Sequence, residues 1–347
     1  MTRLALLVPG PFDTVSGGYG YDRAVVAGLR AAGFDVEVLE LTGRHPLPDA
    51  AAESSARACW ARVAPDAVPI IDGLALPAFA QLADGLAARG AVGLIHHPTA
   101  LEPDRSEADR EMLRRAERFL FASLHRILVT SDSTAERLAD EFAVVRDRIA
   151  VVVPGTNPAP RSAGSGGPGC AILSVGVITP RKGHDVLMRA LARLPDLDWH
   201  LTIAGGARDI EHAGMLHELA AELAITARVT FAGEVVDDAL EALWRRTDLL
   251  ALATRCEGYG MAIAEALRRG VPVAVTDGGA AGALVTPQTG VVVAVGDDAA
   301  LSRALRRLIF DRPLREEMRA AAWDAGQKLP DWTTQATAFA AALPEGK

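Results

Sequence analysis

The chain has 347 residues, enough for two domains, since one domain usually holds roughly 100–200 residues. Its net charge of −8 argues against a nucleic-acid partner and gives no support to docking on anionic lipid. The apolar runs are strand-sized, so we expect no integral membrane segment. The three cysteines are odd in number and widely scattered, which indicates a reducing compartment without disulfides or a zinc site. We therefore expect a cytoplasmic protein.

The first half of the chain alternates strand-like and helical patterns. A strand is predicted at 3–8, and the Pro-Gly-Pro turn after it is typical of a strand end and not of a signal peptide. Further strands are predicted in "DVEVLEL", "DAVPIID", "AVGLIHH", "RILVT" and "IAVVV", and helices at 18–32, 76–88, 106–122 and from Asp132. Continuous apolar strands between helices predict a parallel sheet with helices on both faces.

The alternation stops at "PGTNPAPRSAGSGGPG" (154–169), where Pro, Gly and Ser predict an interdomain linker. It then restarts with strands in "CAILSVG", "WHLTIAG", "RVTFAG", "DLLALAT", "VPVAVT" and "GVVVAV", and with helices from Gly183, at 209–223, near 237–245, after Glu257, from Asp297 and over "DWTTQATAFAAAL". We predict an N-terminal domain at 1–157, a linker at 158–169, a C-terminal domain at 170–325 and a C-terminal helix at 326–347. The predicted fold is α/β, with two doubly wound Rossmann-like domains facing a central cleft, where ligands bind beyond the carboxyl ends of the strands.

Two loops of the first domain carry candidate binding residues. Gly17 and Gly18 precede a helix start, where a glycine lets a phosphate or sugar approach the backbone, although an ordinary glycine turn is an equal alternative. His96 and His97 follow a predicted strand, and a histidine there can bind a ligand group or serve only structure. A metal needs three or four ligands, and no third is evident, so we predict no metal site.

In the second domain, "SVGVITPRKGHD" places Arg181 and Lys182 beside a helix start. Lysine otherwise occurs only at Lys328 and Lys347, so an ammonium group at Lys182 stands out in a chain that prefers arginine. Two cations at a helix N-terminus suit a diphosphate, with a solvated charge pair as the alternative.

The glycine turns at Gly205 and before Glu234 fit close approach of a ligand, or only a turn. The stretch "RCEGYGMAIAEAL" holds Glu257 in a loop and Glu265 eight positions later, two turns into a predicted helix. That spacing suits the two ends of an elongated ligand such as a sugar and a ribose joined by a diphosphate. Two surface glutamates are the alternative.

With these motifs in place, the chain resembles the retaining GT-B glycosyltransferases of family 4 over about residues 3–325. The resemblance rests on "EGYGMAIAE", together with "VGVITPRKGHDVLMRAL", "LTIAGG", "RVTFAGEV" and "GVPVAVTDGGA" in the family's order and spacing. It implies transfer of a sugar from a nucleotide-diphosphate sugar, with UDP or GDP expected, to an acceptor hydroxyl. It implies no cofactor and no metal, front-face attack with retention, and proton transfer to the departing phosphate. It also implies that the C-terminal helix at 326–347 packs back on the N-terminal domain.

The resemblance also implies roles for individual residues. Glu257 would contact hydroxyls of the transferred sugar, Glu265 the ribose, and Lys182 the diphosphate. The remaining assignments are backbone amides near Tyr259, Gly260 and Met261 for phosphate and sugar, Gly18 under the diphosphate, and His96 on the donor sugar with His97 as fallback. Many members carry Gly-Arg after the first strand of this domain, but here the arginine position is Val177, and we predict that Arg181 substitutes.

Other functions stay open at this point. A GT-B phosphorylase or nucleotide-sugar epimerase is the nearer alternative, and a non-catalytic nucleotide-sugar-binding protein is the other. A nicotinamide dehydrogenase is disfavoured because neither domain has the G-x-G-x-x-G fingerprint. The acceptor would be read by loops near 10–20, 43–56 and 97–106, and a soluble acceptor is slightly preferred over a lipid-linked one.

Overall fold

A computed structural model describes residues 2–344. The chain forms two compact units, one containing the residues up to Gly155 and from Trp332 onward, the other Thr156–Asp331. Residues 158–169, predicted as a linker, therefore lie in the second unit, as do residues 326–331 of the predicted C-terminal segment. The outermost ends of the predicted first domain and C-terminal helix, residues 1 and 345–347, lie outside the described residues.

Unit 1 is built on a six-stranded sheet with the order β2-β1-β3-β4-β5-β6, in which every neighbouring pair is parallel. Its strands are β1 (Arg3–Pro9), β2 (Asp35–Leu41), β3 (Ala67–Asp72), β4 (Val92–Ile95), β5 (Arg126–Val129) and β6 (Ile149–Val151). Its helices are α1 (Gly17–Ala31), α2 (Ala50–Arg62), α3 (Ala83–Ala88), α4 (Glu107–Ser123), α5 (Asp132–Phe142) and α12 (Trp332–Ala342), with 3-10 turns at Leu76–Leu82, Thr99–Leu101 and Arg146–Arg148. Leu7, Ile71 and Val129 are fully buried in its core, as expected for strands covered on both faces.

Helix α2 corrects the expectation of a loop near 43–56. Asp49 caps the helix by accepting a hydrogen bond from the amide of Ala52 at 2.9 Å. Ala52, Ala56 and Cys59 then form its buried face. The apolar side chains on this face are small, so the helical period is weak in the sequence, although an Asp before an Ala-rich run is a typical N-terminal signal.

Unit 2 has a second parallel six-stranded sheet, ordered β12-β11-β10-β7-β8-β9. Its strands are β7 (Cys170–Val175), β8 (Trp199–Ala204), β9 (Val229–Gly233), β10 (Leu249–Leu252), β11 (Val273–Thr276) and β12 (Gly290–Val293). Its helices are α6 (His184–Ala192), α7 (Ile210–Glu222), α8 (Asp237–Arg245), α9 (Met261–Arg268), α10 (Asp298–Phe310) and α11 (Arg312–Gly326), with 3-10 turns at Pro180–Lys182, Thr226–Arg228 and Ala281–Leu284.

The long helix predicted from Asp297 is in fact two helices, α10 and α11. Asp311 ends the first and caps the second, accepting from the amide of Leu314 at 3.0 Å. Pro313 has no amide proton, which is tolerated only in the first turn of a helix. This proline was the missed boundary signal.

The segment 156–169 is irregular but is bonded along its length to the rest of unit 2. The hydroxyl of Ser162 donates to the carbonyl of Thr247 at 2.8 Å, and the amide of Ser165 donates to Asp248 at 3.1 Å. A segment rich in Pro and Gly is therefore held without forming a helix or strand. Among residues 2–344, no helix is long and apolar enough to cross a membrane.

Helix α12 packs on α1 within unit 1. The rings of Tyr21 and Trp332 meet edge to face, with centroids 5.6 Å apart. Gly28 permits the close approach of the two helices, because a Cβ atom there would lie 2.4 Å from the Cβ of Ala336.

This packing predicts opposite effects for two glycine substitutions in α1. Gly20→Ala, where an added Cβ meets nothing within 4 Å, should stabilise the protein by up to about 1 kcal/mol through helix propensity. Gly28→Ala should destabilise it by about 1–3 kcal/mol, because the added methyl group overlaps Ala336. Chemical denaturation measures both, and Ala336→Gly in the Gly28→Ala background should recover most of the loss. Equal effects of the two substitutions would contradict this packing.

Candidate functional site

The cations predicted for a diphosphate lie on a tight turn of unit 2. Pro180–Lys182 form one 3-10 turn, and Gly183 follows in the left-handed conformation with φ 64°. A Cβ at Gly183 would lie 2.0 Å from the carbonyl oxygen of Ala253, so only glycine fits. Gly176 lies under the side chain of Lys182, where a Cβ would come within 2.8 Å of Cε. Close backbone packing at Gly183 and Gly176 thus fixes the direction of the Lys182 side chain.

Glu257 lies between β10 and α9 and meets both cations. The Nζ atom of Lys182 donates a short hydrogen bond to Oε1 of Glu257. Nη1 of Arg181 lies 3.9 Å from Oε2 and donates to the carbonyl of Cys256 at 2.6 Å. Burial raises the pKa of the Glu257 carboxyl, but Lys182 and Arg181 outweigh burial and hold this pKa below its usual range. The carboxylate is ionised, and the three side chains together carry one net positive charge.

Arg255 is a residue that sequence reasoning missed. Its guanidinium pairs with the carboxylate of Asp185 at 2.9 and 3.2 Å and also donates to the carbonyl of Pro180. Its amide donates to the carbonyl of Arg181 at 2.8 Å. Arg255 therefore ties the loop that carries Glu257 to the turn that carries the two cations. The separation of 70 residues between Arg255 and Asp185 hides this pairing in the sequence.

Glu265 lies less deep in its helix than predicted. Helix α9 begins at Met261, so Glu265 is just over one turn from its start and not two. Burial raises the pKa of its carboxyl to about 7, and the charge of Arg269 lowers it in part. Arg269 itself is paired with Glu241 at 2.6 Å.

The start of α9 is shaped by Gly260, which has φ 101°. A side chain there would be strained and would also meet Ile263 at 2.9 Å. Tyr259 is buried beside it, and burial raises the pKa of its hydroxyl. The first amides of any helix, here from Met261 onward, lack intrahelical acceptors and point out of its N-terminus.

Gly205 and Glu234 stand at the ends of β8 and β9. A Cβ at Gly205 would lie 1.9 Å from the carbonyl oxygen of Gly176, so backbone crowding by itself accounts for this glycine. Glu234 is exposed, and its Oε2 lies 3.2 Å from where a Cβ of Gly206 would be. Both residues flank the turn after β7 without contacting Glu257 through any bond that the described residues record.

Unit 1 brings Gly18 and His96 together. Ser16 caps α1 by accepting from the amide of Tyr19, which places Gly17 and Gly18 in the first turn. A Cβ on Gly18 would stand 3.4 Å from Cδ2 of His96, in ordinary van der Waals contact. His96 and the fallback His97 follow directly after β4.

Two buried aspartates beside His96 were missed. Nε2 of His96 lies 2.9 Å from Oδ1 of Asp22 and 3.8 Å from Oδ2 of Asp72. Polar atoms of all three residues lie within 4.8 Å of one another. Nε2 is hydrogen-bonded to Asp22, and the fold thus brings to His96 two further ligand-type groups that the sequence did not reveal. Asp72 lies at the carboxyl end of a strand, where ligand-binding residues are expected in a parallel sheet, so the sequence could have indicated it. Asp22 lies inside a helix and gives no such signal.

The protonation of this cluster follows from burial and mutual charge. Burial raises the pKa of Asp72 to about 7, with a further increase from Asp22 and a decrease from His96. Burial lowers the pKa of His96, but the charge and hydrogen bond of Asp22, together with Asp72, leave it above its ordinary value.

Part of the chain matches a known family model. Residues 161–324 match the family model "Glycosyl transferases group 1", a range that contains Arg181, Lys182, Glu257 and Glu265. Unit 2 is thus similar to the glycosyl transferases group 1 family over 164 of the chain's 347 residues.

The alignments with curated relatives cover only part of each protein. A D-inositol 3-phosphate glycosyltransferase of Nocardia farcinica is 34% identical over 229 residues, which is 60% of this chain and 51% of the relative. The enzyme of the same name from Mycolicibacterium gilvum is 36% identical over 183 residues, 46% of this chain and 40% of the relative. The chain thus spans about half the length of the curated relatives that it matches.

Solved structures agree in fold over almost the whole chain. Sucrose-phosphate synthase from Thermosynechococcus elongatus superposes with a TM-score of 0.83 at 20% identity, covering 98% of both chains. Anabaena HepE, solved with UDP-glucose, gives a TM-score of 0.78 at 18% identity and covers 98% of this chain and 99% of its own. The fold is GT-B, with two Rossmann-like units, as the sequence predicts.

The contacts of Arg255 with Asp185 and Pro180 predict local loosening of the two loops when they are removed. Arg255→Lys keeps the charge but loses the planar fork, and Asp185→Asn removes the partner. Each should accelerate hydrogen exchange at the amides of Lys182 and Arg255 by about tenfold or more, and the double variant should add little, because both remove one interaction.

An exposed pair serves as the matched control. Arg306 and Asp196 form a two-point ion pair at 2.7 Å on the surface of the same unit. Arg306→Lys should leave exchange at Lys182 and Arg255 unchanged, since surface pairs contribute little. Equal exchange in the Arg255→Lys and Arg306→Lys proteins would show that Arg255 does not hold the two loops.

Proposed function

We propose that this protein is a glycosyltransferase that moves a sugar from a nucleoside-diphosphate sugar to an acceptor hydroxyl, with retention of anomeric configuration and without a metal ion. The observation that carries the proposal is the meeting of Arg181 and Lys182 at the carboxylate of Glu257, inside the range matched by the family. The match of unit 2 to a glycosyl transferase family model favours transfer over the other reactions of GT-B proteins.

The cations of this cluster supply what a departing nucleoside diphosphate needs. Negative charge grows on the phosphate oxygens as the bond to the sugar breaks, and fixed positive charge stabilises it. Lys182 has three N–H donors, more than its contact with Glu257 uses, and Arg181 adds the charge of a guanidinium beside it. We propose that Arg181 supplies the guanidinium that many members of the family carry where this chain has Val177.

The state of Glu257 favours a positioning role. An ionised carboxylate paired with Lys182 is a poor nucleophile but a good acceptor for sugar hydroxyls. We expect an oxocarbenium-like transition state, attack of the acceptor from the face that the phosphate leaves, and transfer of the acceptor proton to that phosphate.

Glu265 is proposed to accept hydrogen bonds from the ribose hydroxyls. With its pKa raised to about 7 by burial, the free protein holds a proton there over part of the neutral range. A carboxylate that accepts two hydroxyls must be ionised, so donor binding should release this proton and strengthen as pH rises through about 7.

The resemblance suggests roles for two residues of unit 1, and the similar proteins suggest which donor and acceptor to test first. His96 and Gly18 are proposed to face the donor sugar and diphosphate. UDP is the first nucleotide to test, since the similar HepE was solved with it, and GDP the second. Inositol 3-phosphate is the first acceptor to test, since the curated relatives are named D-inositol 3-phosphate glycosyltransferases.

A thermal-shift screen with UDP-, GDP-, ADP- and TDP-sugars in the presence of EDTA tests donor binding. A bound donor at 100 times its Kd should add about 2.7 kcal/mol of stability. Lys182→Ala and Glu265→Ala should abolish the shift, while the exposed controls Lys328→Ala and Glu218→Ala should retain it. Selective stabilisation that survives both site substitutions would refute the proposed donor site.

Product analysis separates the possible reactions. Transfer to an acceptor with the anomeric configuration kept supports the proposal. Donor cleavage that depends on free phosphate, or epimerisation without an acceptor, would assign another GT-B reaction, and binding without turnover would assign a non-catalytic protein.

Arg181→Ala should lower kcat or raise the donor KM by at least tenfold, because it removes one of two cations at the proposed diphosphate site. Arg181→Lys should recover part of the loss, since charge returns without the fork geometry. Steady-state kinetics with the donor found in the screen measures both. Unchanged kinetics in Arg181→Ala would show that the arginine serves only to hold Cys256.

A further inference from the structure

We propose that Asp22 is a positioning residue for His96, which it holds by Nε2 so that the ring presents Nδ1 as a positively charged hydrogen-bond donor to an oxygen atom of the ligand. The kinetic part of this inference rests on the proposed function. The structural part does not, because it concerns the proton on one nitrogen atom.

The first support is the geometry around Nε2. Asp22 lies on α1 with only 2% of its surface exposed, and its Oδ1 is 2.9 Å from Nε2 of His96. A buried carboxylate requires a hydrogen-bond donor, and Nε2–H is the donor placed to serve it. The Nε2 proton is therefore committed to Asp22 whether the ring is neutral or charged.

The second support is the freedom of Nδ1. Among residues 2–344, all recorded side-chain bonds of His96 run through Nε2, and Nδ1 is absent from the buried polar atoms that lack a partner. Because the side chain is 22% exposed, Nδ1 faces solvent and is open to a ligand. One nitrogen of the ring is held and the other is available.

The ring is also fixed in orientation. Tyr21 meets it edge to face with centroids 5.1 Å apart, and Gly18 lies against Cδ2. The hydroxyl of Thr130 on the neighbouring strand end donates to the backbone carbonyl of His96 at 3.2 Å. The direction of Nδ1 is thus set by three contacts, two from α1 and one from the residue after β5, before any ligand binds.

The charge on the ring follows from the groups that face it. Asp22 on α1 and Asp72 at the end of β3 are the acidic groups, and Tyr21 is the other titratable group in contact. Within the described residues, no lysine or arginine is recorded in an ion pair with either aspartate. These two acids raise the pKa of His96 above its ordinary value against the effect of burial. A charged ring donates from Nδ1 and cannot take a proton from an acceptor hydroxyl, which distinguishes this role from that of a general base.

Nitrogen-15 NMR of histidine-labelled protein tests the inference directly. His96→Gln identifies the His96 signals. In the wild-type protein we expect the neutral ring to keep its proton on Nε2, and the ring to titrate above the ordinary pKa of about 6.5. A neutral ring protonated on Nδ1, or a titration below about 6.5, would overturn the proposal without any variant being needed.

Two variants with a matched control then isolate the contribution of Asp22. Asp22→Asn should lower the proton affinity of His96 by tenfold or more, because the direct partner loses its charge. Asp72→Asn should lower it less, since Asp72 is 3.8 Å away. Asp132→Asn, an exposed acid of the same unit, should leave it unchanged. An equal titration in the wild-type and Asp22→Asn proteins would overturn the proposal.

The kinetic test uses the pH profile. The rate of sugar transfer should fall as pH rises through the His96 pKa, and Asp22→Asn should move this fall to lower pH by the shift that NMR records. His96→Gln should remove the fall altogether. A profile that Asp22→Asn leaves in place would refute the positioning role. If no donor supports transfer, the proposed function fails while the NMR result still decides the proton assignment.

Discussion

The structure of the candidate donor site depends on one constraint, the confinement of two cations beside a buried carboxylate. Removing ions of this kind from water costs several kcal/mol each, and mutual attraction offsets that cost only with good geometry. Lys182 and Arg181 meet Glu257 from a single turn, so each charge has a partner. The cluster retains one net positive charge, which makes it suited to an anion and not to a neutral ligand.

That confinement is achieved by the backbone more than by the side chains. Gly176, Gly183 and Gly205 each occupy a place where a Cβ atom would overlap a neighbouring main chain or the lysine itself. Arg255 adds a connection through Asp185 and Pro180 between the two loops. Glycines that could have been interpreted as open to ligand are thus required by the packing of strand ends, and they act on the ligand through the cations that they position.

The sequence predicted the parts of the molecule that depend on local pattern. Strand and helix alternation indicated two parallel sheets, and the isolated Lys182 with the two glutamates indicated one region of unit 2. It failed where the signal was weak or distant in the chain. Helix α2 has a buried face of alanine and cysteine, and Pro313 divides what looked like one helix. Asp22 and Asp72 are separated from His96 along the chain, and only the fold brings them together.

The two units have the same architecture, but the charged clusters at their strand ends have opposite compositions. At the strand ends of unit 2, one acid is held by two cations, and the acid is ionised. At those of unit 1, one imidazole is held by two acids, and one acid, Asp72, has its pKa raised to about 7 because both acids cannot be charged cheaply while buried. In each cluster the two partners shift the pKa of the single group toward its charged form, below the usual range for Glu257 and above it for His96. Within unit 2 Glu257 is thereby suited to accept hydrogen bonds, and within unit 1 His96 is suited to donate them.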